Sequence, residues 1–289
     1  MNAVLLTLLR SAAIVGSVAV MCGVCAMPAN AQGVENLILF ERFDGSGALL
    51  NTLESHSQVR VAEGEGVDDG NALEVTYEGN DGGSTGIVRM HPLDTRMSEA
   101  TLCYDVKFPE DFQFVRGGKL HGLAPADRVT GGADRRPDGW SARVNFTGND
   151  SVRTYVYDQS EGSTYGVSQS PDNDFTFTRD QYHAISLHIT LNDPDEANGS
   201  VHIYVDGERV VTHDGLRIRG VDSEETLIQS VHVSTFHGGS GPSWAPVDQD
   251  GDYTTVYAYF DNFAVYEGKA VREAPVTPEQ AAEKMEATR

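Results

Sequence analysis

Short stretches in which apolar and polar residues alternate recur along most of the chain. In one of them Leu102, Tyr104, Val106 and Phe108 are separated by single, mostly polar residues. A period of two is typical of half-buried β-strands, because successive side chains point to opposite faces. The pattern predicts strands at residues 37–43, 73–77, 86–90, 100–108, 140–146, 152–157, 185–191, 201–205, 208–211, 231–236 and 257–265.

Turn residues separate these stretches and indicate how the strands are connected. Asp206-Gly207 stands between two apolar stretches and suits the type I′ turn of a hairpin. No convincing amphipathic helix precedes Thr277, and no internal repeat is visible. We therefore predict an all-β fold, a two-sheet antiparallel β-sandwich of jelly-roll type.

The two ends of the chain differ from the middle. Residues 1–31 have one charge, Arg10, then an apolar run and the small-x-small sequence Ala29-Asn30-Ala31, which is typical of a cleaved secretory signal. A membrane anchor and a lipoprotein anchor are weaker alternatives. We predict a secreted or periplasmic protein with one domain at residues 32–268. Residues 269–289 contain prolines and a stretch with helix propensity, and we expect a loosely attached tail.

The charge of the chain limits its partners. The formal net charge is −22, which argues against binding nucleic acid or an anionic membrane. A polyanionic substrate would need a locally basic surface and would benefit from screening by salt. Cys103 would be the one cysteine left after signal removal, so the fold cannot rest on an internal disulfide. We expect a monomer.

Three segments carry groups that suit an acidic sugar. Lys119 lies among glycines, Ser141 and Arg143 are two residues apart, and so are Tyr155 and Tyr157. Residues two apart on a strand share a face. The segments can therefore present a cation, a hydroxyl, a guanidinium and two phenols together, and these groups can bind a carboxylate and move protons.

The order of these motifs resembles polysaccharide lyase family 14, and also the related glucuronan lyases. The resemblance rests on the segments 117–123, 139–143, 155–157 and 238–246, and extends over roughly residues 37–266. It implies a secreted alginate lyase on a β-jelly-roll. It also implies that the following residues line a substrate groove and carry catalysis: Lys119, Ser141, Arg143, Tyr155 and Tyr157. Two departures are His121, where the family usually has proline, and the stretch Val144-Asn145-Phe146-Thr147.

The chemistry of a uronate lyase assigns roles to these groups. Removal of the C5 proton requires neutralisation of the adjacent carboxylate, because the intermediate places a second negative charge there. Lys119 and Arg143 can stabilise that charge, and Ser141 can donate a hydrogen bond.

Proton transfer requires a base at C5 and an acid at the departing oxygen. Tyr155 or Tyr157 is the candidate, on the argument that nearby cations lower the pKa of a phenol. His121 can share the role, because histidine ordinarily titrates near neutrality. The sequence does not decide among the three.

Other candidates are weaker. The predicted substrate-binding residues are Arg89, His121, Asn145, His232 and Ser234. Asp248, Asp250 and Asp252 resemble part of a calcium loop but lack the downstream glutamate of an EF-hand. We predict no metal site and no cofactor, with a structural calcium ion as a minor alternative.

Strand parity makes a geometric prediction. A three-residue loop at 148–150 would place Arg143 opposite Tyr155 and Ser141 opposite Tyr157 on one face, and would suit the positive φ that Gly148 and Asn149 tolerate. A two- or four-residue loop without a bulge would separate the pairs.

Two rival functions share the predicted fold. A glycoside hydrolase needs two carboxylates flanking the bond, and no predicted strand carries alternating acids. A non-catalytic carbohydrate-binding protein stays open. The sequence also leaves open which uronate is bound (mannuronate, guluronate or glucuronate) and whether cleavage is endo or exo.

Overall fold

The computed structural model describes residues 36–287, so the predicted signal peptide lies outside the described residues. The elements are β1 (Leu37–Glu41), α1 (Ala48–Leu53), β2 (Val59–Ala62), β3 (Ala72–Asn80), β4 (Gly83–Met97), β5 (Glu99–Lys107), β6 (Gly117–Ala124), β7 (Ser141–Thr147), β8 (Val152–Tyr157), β9 (Tyr182–Thr190), β10 (Gly199–Val205), β11 (Glu208–Leu216), β12 (Ile228–Gly238), β13 (Thr255–Glu267) and α2 (Pro278–Ala287). Within this range, none of the helices has the length and apolar character needed to span a bilayer.

Every strand pairing in the described chain is antiparallel, which confirms the all-β, antiparallel class. The strand order is β11-β10-β9-β5-β13-β3-β4-β12-β6-β7-β8, with β1 beside β13 and β2 beside β3. The predicted hairpin is present, since Val205 pairs with Glu208 and both Asp206 and Gly207 have positive φ, as a type I′ turn requires.

The sheet is divided at the β3–β4 connection, where the pairs Gly79–Ser84 and Asn80–Gly83 join its two parts. We call β1–β3, β5, β9–β11 and β13 the first half-sheet, and β4, β6–β8 and β12 the second. Apolar side chains of both halves form one core cluster. This arrangement is compatible with a jelly-roll sandwich, which stays a prediction.

An aromatic cluster supports the entry to β6, which carries Lys119. Phe108, Phe112 and Phe114 are nearly fully buried, and their rings pack against Phe146 of β7 at centroid distances of 5.7–6.0 Å. Burial of each phenylalanine stabilises the fold by about 1.5–3 kcal/mol. The cluster therefore fixes the segment before β6 against the neighbouring strand.

Two local expectations were wrong. The six-residue helix α1, which buries Leu49, Leu50 and Leu53, is too short to show a helical period in the sequence. The segment after β13 is also not loosely attached: the Arg272 guanidinium lies 3.5 Å from the Asp105 carboxylate, and both side chains are buried. The prolines and the helix propensity of this segment gave no sign that the charge of Arg272 would be matched by a buried opposite charge on β5. The domain boundary at 268–269 stays a prediction.

Candidate functional site

The β7–β8 hairpin has the register predicted from parity. Ser141 pairs with Tyr157 and Arg143 with Tyr155. The Thr147 amide donates to the Ser151 carbonyl at 2.9 Å, so the loop contains the three residues 148–150. The positive φ falls on Asp150 (57°) rather than on the glycine or asparagine. The serine, the arginine and both tyrosines therefore share one face, as expected.

A β-bulge in β6 decides which of its side chains join that face. Lys119 pairs with Asn145 and Gly122 with Arg143, so three steps along β6 match two steps along β7. Lys119 and Gly122 consequently lie on the face of Arg143. The residues between them, Leu120 and His121, are directed to the core.

This placement contradicts the prediction for His121. The His121 side chain is fully buried, and its ring packs against Phe260 and Phe263 at centroid distances of 4.6 and 4.9 Å. Its Nδ1 accepts a hydrogen bond from the Ser234 amide at 3.2 Å. Burial lowers the pKa of His121 to about 3. It is therefore a neutral core residue that neither reaches a substrate on the other face nor titrates near neutrality.

Strand β12 contributes His232 and Ser234 to the same face. Val231 and Val233 belong to the core cluster, so the alternating residues point the other way. His232 pairs with Gly122, and the Ser234 hydroxyl accepts a hydrogen bond from Arg143 Nη1 at 3.1 Å. Both predicted residues thus lie beside Arg143.

Arg89 is not part of this arrangement. It pairs with Val233, and opposed residues of an antiparallel pair point to the same side of the sheet. Its exposed side chain therefore leaves β4 on the side away from Ser234. It lies near His56 instead, where its positive charge adds to the effect of burial and lowers the pKa of that histidine. The prediction that Arg89 joins the other candidates is wrong, because its pairing with Val233 directs it to the opposite side of the sheet.

We use the term candidate face for the shared side of β6, β7, β8 and β12. Its residues are Lys119, Ser141, Arg143, Asn145, Arg153, Tyr155, Tyr157, His232 and Ser234. Lys119, Arg153 and Tyr155 are half-buried, and the others are buried.

Tyr155 lies between two cations. Lys119 Nζ is 4.7 Å and Arg143 Cζ 5.3 Å from the centroid of its ring. The hydroxyl of Tyr155 is 3.4 Å from that of Tyr157, which also accepts a hydrogen bond from the Gly132 amide at 2.9 Å. The ammonium, the guanidinium and the second phenol thus all contact Tyr155.

The loop between β6 and β7 is attached to this face. The Ser141 hydroxyl donates to the Val129 carbonyl at 2.7 Å, and Arg143 Nη2 donates to Thr130 Oγ1 at 2.7 Å. The proton of Ser141 is thus directed to the loop and not to a ligand, which differs from the donor role predicted for it. Ser141 holds the loop, and the loop orients Arg143.

Burial controls the protonation of the central groups. Burial, followed by the charges of Arg143 and Arg153, lowers the pKa of Lys119 to about 7. Burial and, as the second factor, the hydrogen bond with Tyr157 raise the pKa of Tyr155 to about 12, whereas the positive charge of Arg143 acts in the opposite direction. The prediction that nearby cations lower the tyrosine pKa is therefore wrong for Tyr155, because desolvation outweighs them.

Four cations gather here without acidic partners. Among residues 36–287, no carboxylate lies within 4 Å of the side-chain nitrogens of Lys119, Arg128, Arg143 or Arg153, although the full chain has 43 Asp and Glu residues. Asn145 is 1% exposed, and both polar atoms of its amide lack a described partner. These features are those of a face that binds an anion.

Sequence reasoning missed Arg128, Thr130 and the role of Arg153. Arg153 shares the parity of the two tyrosines, so alternation was a usable signal for it. Arg128 and Thr130 lie in an irregular loop, where no periodicity shows which way a side chain points.

The acidic loop has its own internal bonding. The Asp248 carboxylate accepts hydrogen bonds from the amides of Asp250 and Asp252 at 3.0 and 2.9 Å, as in an Asx turn. Within residues 36–287 no group of three or more His, Cys, Asp or Glu side chains is arranged to hold a metal ion. The expectations about calcium and cofactors stay predictions.

Several solved structures share this fold. Alginate lyase Aly36B, in a mutant form complexed with alginate tetrasaccharide, has a TM-score of 0.65 and 20% identity over 81% of this chain and 98% of that one. The PL-14 alginate lyase from Aplysia kurodai gives 0.63 and 21% over 80% and 99%. Alginate lyase vAL-1 from Chlorella virus gives 0.57 and 22% over 73% and 89%.

Sequence comparison is decisive at the level of the family. No curated protein matches the chain. The family model described as polysaccharide lyase 14 matches residues 68–263, which is more than half of the chain and includes every residue of the candidate face. The chain belongs to polysaccharide lyase family 14.

Proposed function

We propose that this polysaccharide lyase is a secreted enzyme that cleaves a polyuronate, alginate in the first place, by β-elimination on a jelly-roll scaffold. The observation that carries the proposal is the contact of Lys119 and Arg143 with the ring of Tyr155, in a group of four cations without acidic partners. The likeness to three alginate lyases supports alginate as the first polymer to test. The substrate is an acidic polysaccharide, and the enzyme acts as a monomer.

Arg143 and Asn145 are placed to neutralise the carboxylate of the uronate that reacts. Arg143 is held by Ser234 and Thr130, and its Nε has no described partner. Burial lowers the pKa of Arg143 to about 10, so it stays charged near neutrality. The Asn145 amide can donate to a carboxylate oxygen. Preorganised donors of this kind stabilise the charge that develops when C5 loses its proton.

Lys119 is the best candidate for the base. Near neutrality a large part of a lysine population with a pKa of about 7 is uncharged and can accept the C5 proton. The electron pair of the C5–H bond forms the C4=C5 double bond, and the bond from C4 to the glycosidic oxygen breaks. That oxygen then receives a proton and becomes part of a new reducing end.

Tyr155 and Tyr157 are the candidate acids for this last step. Tyr155, with a pKa of about 12, keeps its proton at neutral pH and can deliver it to the departing oxygen. The hydrogen-bonded distance between the two hydroxyls lets Tyr157 supply the proton in turn. This assignment exchanges the roles that the sequence suggested, since the amine takes the proton and the phenols donate one.

The test is to incubate the purified protein with polymannuronate, polyguluronate and glucuronan and to follow the ultraviolet absorbance of the C4=C5 product. We expect absorbance with at least one polymer. We also expect its loss in Lys119→Gln but not in Lys269→Gln, which removes the same charge at an exposed position. New reducing ends without absorbance would indicate a hydrolase, and binding without either product would indicate a carbohydrate-binding protein.

A further inference from the structure

The pairing of β6 with β12 is interrupted beside the candidate face. Gly122 pairs with His232 and Lys119 with Phe236, so three steps along β6 match four steps along β12. The residues 233–235 of β12 thus have no partner on β6 in the described pairing of the two strands. Backbone polar groups that are buried at such a gap require another partner.

A side chain supplies that partner for Ser234. The Ser234 amide donates to Nδ1 of His121 at 3.2 Å, and both residues are fully buried. His121 belongs to the two-residue bulge of β6, which lies where the ladder to β12 is open. Its imidazole therefore takes the place of a backbone acceptor in the ladder.

The core holds this imidazole in one orientation. Its ring packs against those of Tyr104, Phe260 and Phe263 at centroid distances of 5.0, 4.6 and 4.9 Å. Because Nδ1 accepts a hydrogen bond, the proton of the neutral ring lies on Nε2. Burial lowers the pKa of His121 to about 3, so Nδ1 remains an acceptor throughout the range in which Lys119 exchanges protons.

Ser234 connects this hydrogen bond to the candidate face. Its hydroxyl lies on the side of the sheet opposite to His121 and accepts a hydrogen bond from Arg143 Nη1 at 3.1 Å. The second described hydrogen bond of the guanidinium goes to Thr130 in the loop between β6 and β7. A displacement of Ser234 would therefore leave Arg143 oriented by hydrogen bonding from the loop alone.

We propose that His121 is a positioning residue of the lyase: it holds Ser234 across the open ladder, and Ser234 in turn orients the Arg143 guanidinium toward the reacting uronate. The inference rests on the proposed function, since it uses the role given there to Arg143. It assigns a task to a core histidine that contacts no substrate. A misplacement of about 1 Å, caused by a change away from the reacting atoms, can slow a reaction about a hundredfold.

The first measurement compares the kinetics of His121→Leu and His121→Asn. Leucine fills a similar volume without an acceptor, whereas Oδ1 of asparagine occupies a position close to that of Nδ1. We expect kcat/KM of folded His121→Leu to fall about tenfold to a hundredfold, mainly through kcat, because Arg143 acts on charge that develops during the reaction. His121→Asn should restore most of the loss. Equal losses in the two variants would overturn the inference.

His183→Leu is the matched control. His183 is buried on β9, in the first half-sheet, and its Nε2 accepts a hydrogen bond from the Thr178 amide at 3.0 Å. The rings of Phe175 and Phe177 pack against it at centroid distances of 5.8 and 5.5 Å. The substitution removes the same kind of hydrogen bond from similar surroundings, so folded His183→Leu should keep its kcat/KM. A loss equal to that of His121→Leu would contradict a positioning role.

A double-mutant cycle tests whether His121 acts through Ser234. Ser234→Ala removes the hydroxyl that accepts from Arg143 and leaves the backbone amide in place. His121→Leu should then cost little further activity in the Ser234→Ala enzyme, although it should still lower the stability. A loss of kcat/KM that is equally large in both backgrounds would show that the effect does not pass through Ser234, and the inference would fail.

Nuclear magnetic resonance examines the same contacts without substrate. The nitrogen shifts of the His121 ring should place its proton on Nε2, and the Ser234 amide should exchange more rapidly in His121→Leu than in wild type. The Arg143 Nε signal should shift in His121→Leu and stay unchanged in His183→Leu. A proton on Nδ1, or an Arg143 signal that does not respond, would overturn the inference. Wild-type protein with these contacts but no turnover of any polyuronate would contradict the proposed function alone.

Discussion

The chemistry of Lys119 depends on its surroundings more than on its type. Its ammonium group is half-buried over the ring of Tyr155 and 5.9 Å from the centroid of Phe236, and it faces Arg143 and Arg153. Desolvation and like charges both disfavour the protonated form. A lysine that ordinarily stays charged at neutral pH becomes a group that can exchange protons there.

This leads to a prediction about pH. Because the lowered pKa of Lys119 is about 7, its uncharged fraction grows as the pH rises through neutrality, and kcat/KM should rise with it. Lys119→Gln should lose about a hundredfold to ten-thousandfold in activity, the usual contribution of general base catalysis. The measurement is kcat/KM between pH 5 and 9.

The tyrosine variants provide the control. Tyr155→Phe should lower the rate but keep the rise near pH 7. If Tyr155→Phe and Tyr157→Phe abolish the rise while a slow Lys119→Gln retains it, a phenol is the base and the assignment is reversed.

Residue types and spacing predicted much at this scale, but environment did not follow from them. Alternation placed Ser141, Arg143 and the two tyrosines on one face, and the glycine neighbours singled out Lys119. Cations stabilise the phenolate form of Tyr155, and burial destabilises it. Which effect is larger depends on how deeply Tyr155 is buried, and no local sequence pattern encodes that depth. Arg128 was missed because it lies in an irregular loop, where alternation gives no information about the direction of a side chain.

At the scale of the element, β6 and the β7–β8 hairpin differ in how well the sequence predicts them. A hairpin with a short loop has a register fixed by local counting, so parity predicted its pairs. A bulge depends on the strands on either side, and Gly118 and Gly122 gave no sign of where the extra residue would fall. Lys119 lies on the face of Arg143, as expected, whereas the bulge turns His121 into the core, contrary to the prediction.

The close approach of β6 and β7 depends on Gly122. A Cβ there would lie 2.0 Å from the Ala142 carbonyl oxygen and 2.7 Å from Arg143 Cα, so β6 and β7 would have to separate. We expect Gly122→Ala to destabilise the fold by about 1–3 kcal/mol, as overpacking does, and to reduce activity by displacing Arg143.

Thermal unfolding and kcat/KM of the folded variant measure the two effects. Gly45→Ala is a suitable control, because a Cβ at Gly45 would meet no atom within 4 Å. A Gly122→Ala enzyme as stable and as active as this control would show that the close approach of the strands is unnecessary.

At the scale of the whole molecule, two electrostatic fields oppose each other. The formal net charge is −22, whereas Lys119, Arg143 and Arg153 of the candidate face, with Arg128 of the adjacent loop, form no ion pair with a carboxylate of the described chain. A polyanion is therefore repelled at long range and attracted at contact. The composition predicted the negative field of the whole molecule, and a polyanionic substrate required a locally positive one. Only the fold shows where the cations converge.

The balance of these fields predicts how the enzyme responds to monovalent salt. The screening length falls from about 30 Å at 0.01 M to about 10 Å at 0.1 M, which suppresses the long-range repulsion before it weakens the contacts on the candidate face. We expect kcat/KM for a polyuronate to rise over this interval and to fall toward 1 M, where the screening length of about 3 Å affects the contacts themselves.

Arg128→Gln separates the two parts of this response. It removes one of the four cations and changes the net charge of −22 by only one unit, so the rise at low salt should persist while the fall at high salt becomes shallower. A wild-type kcat/KM that decreases steadily from 0.01 M upward would contradict the prediction, because it would mean that the positive field of the candidate face dominates at every distance.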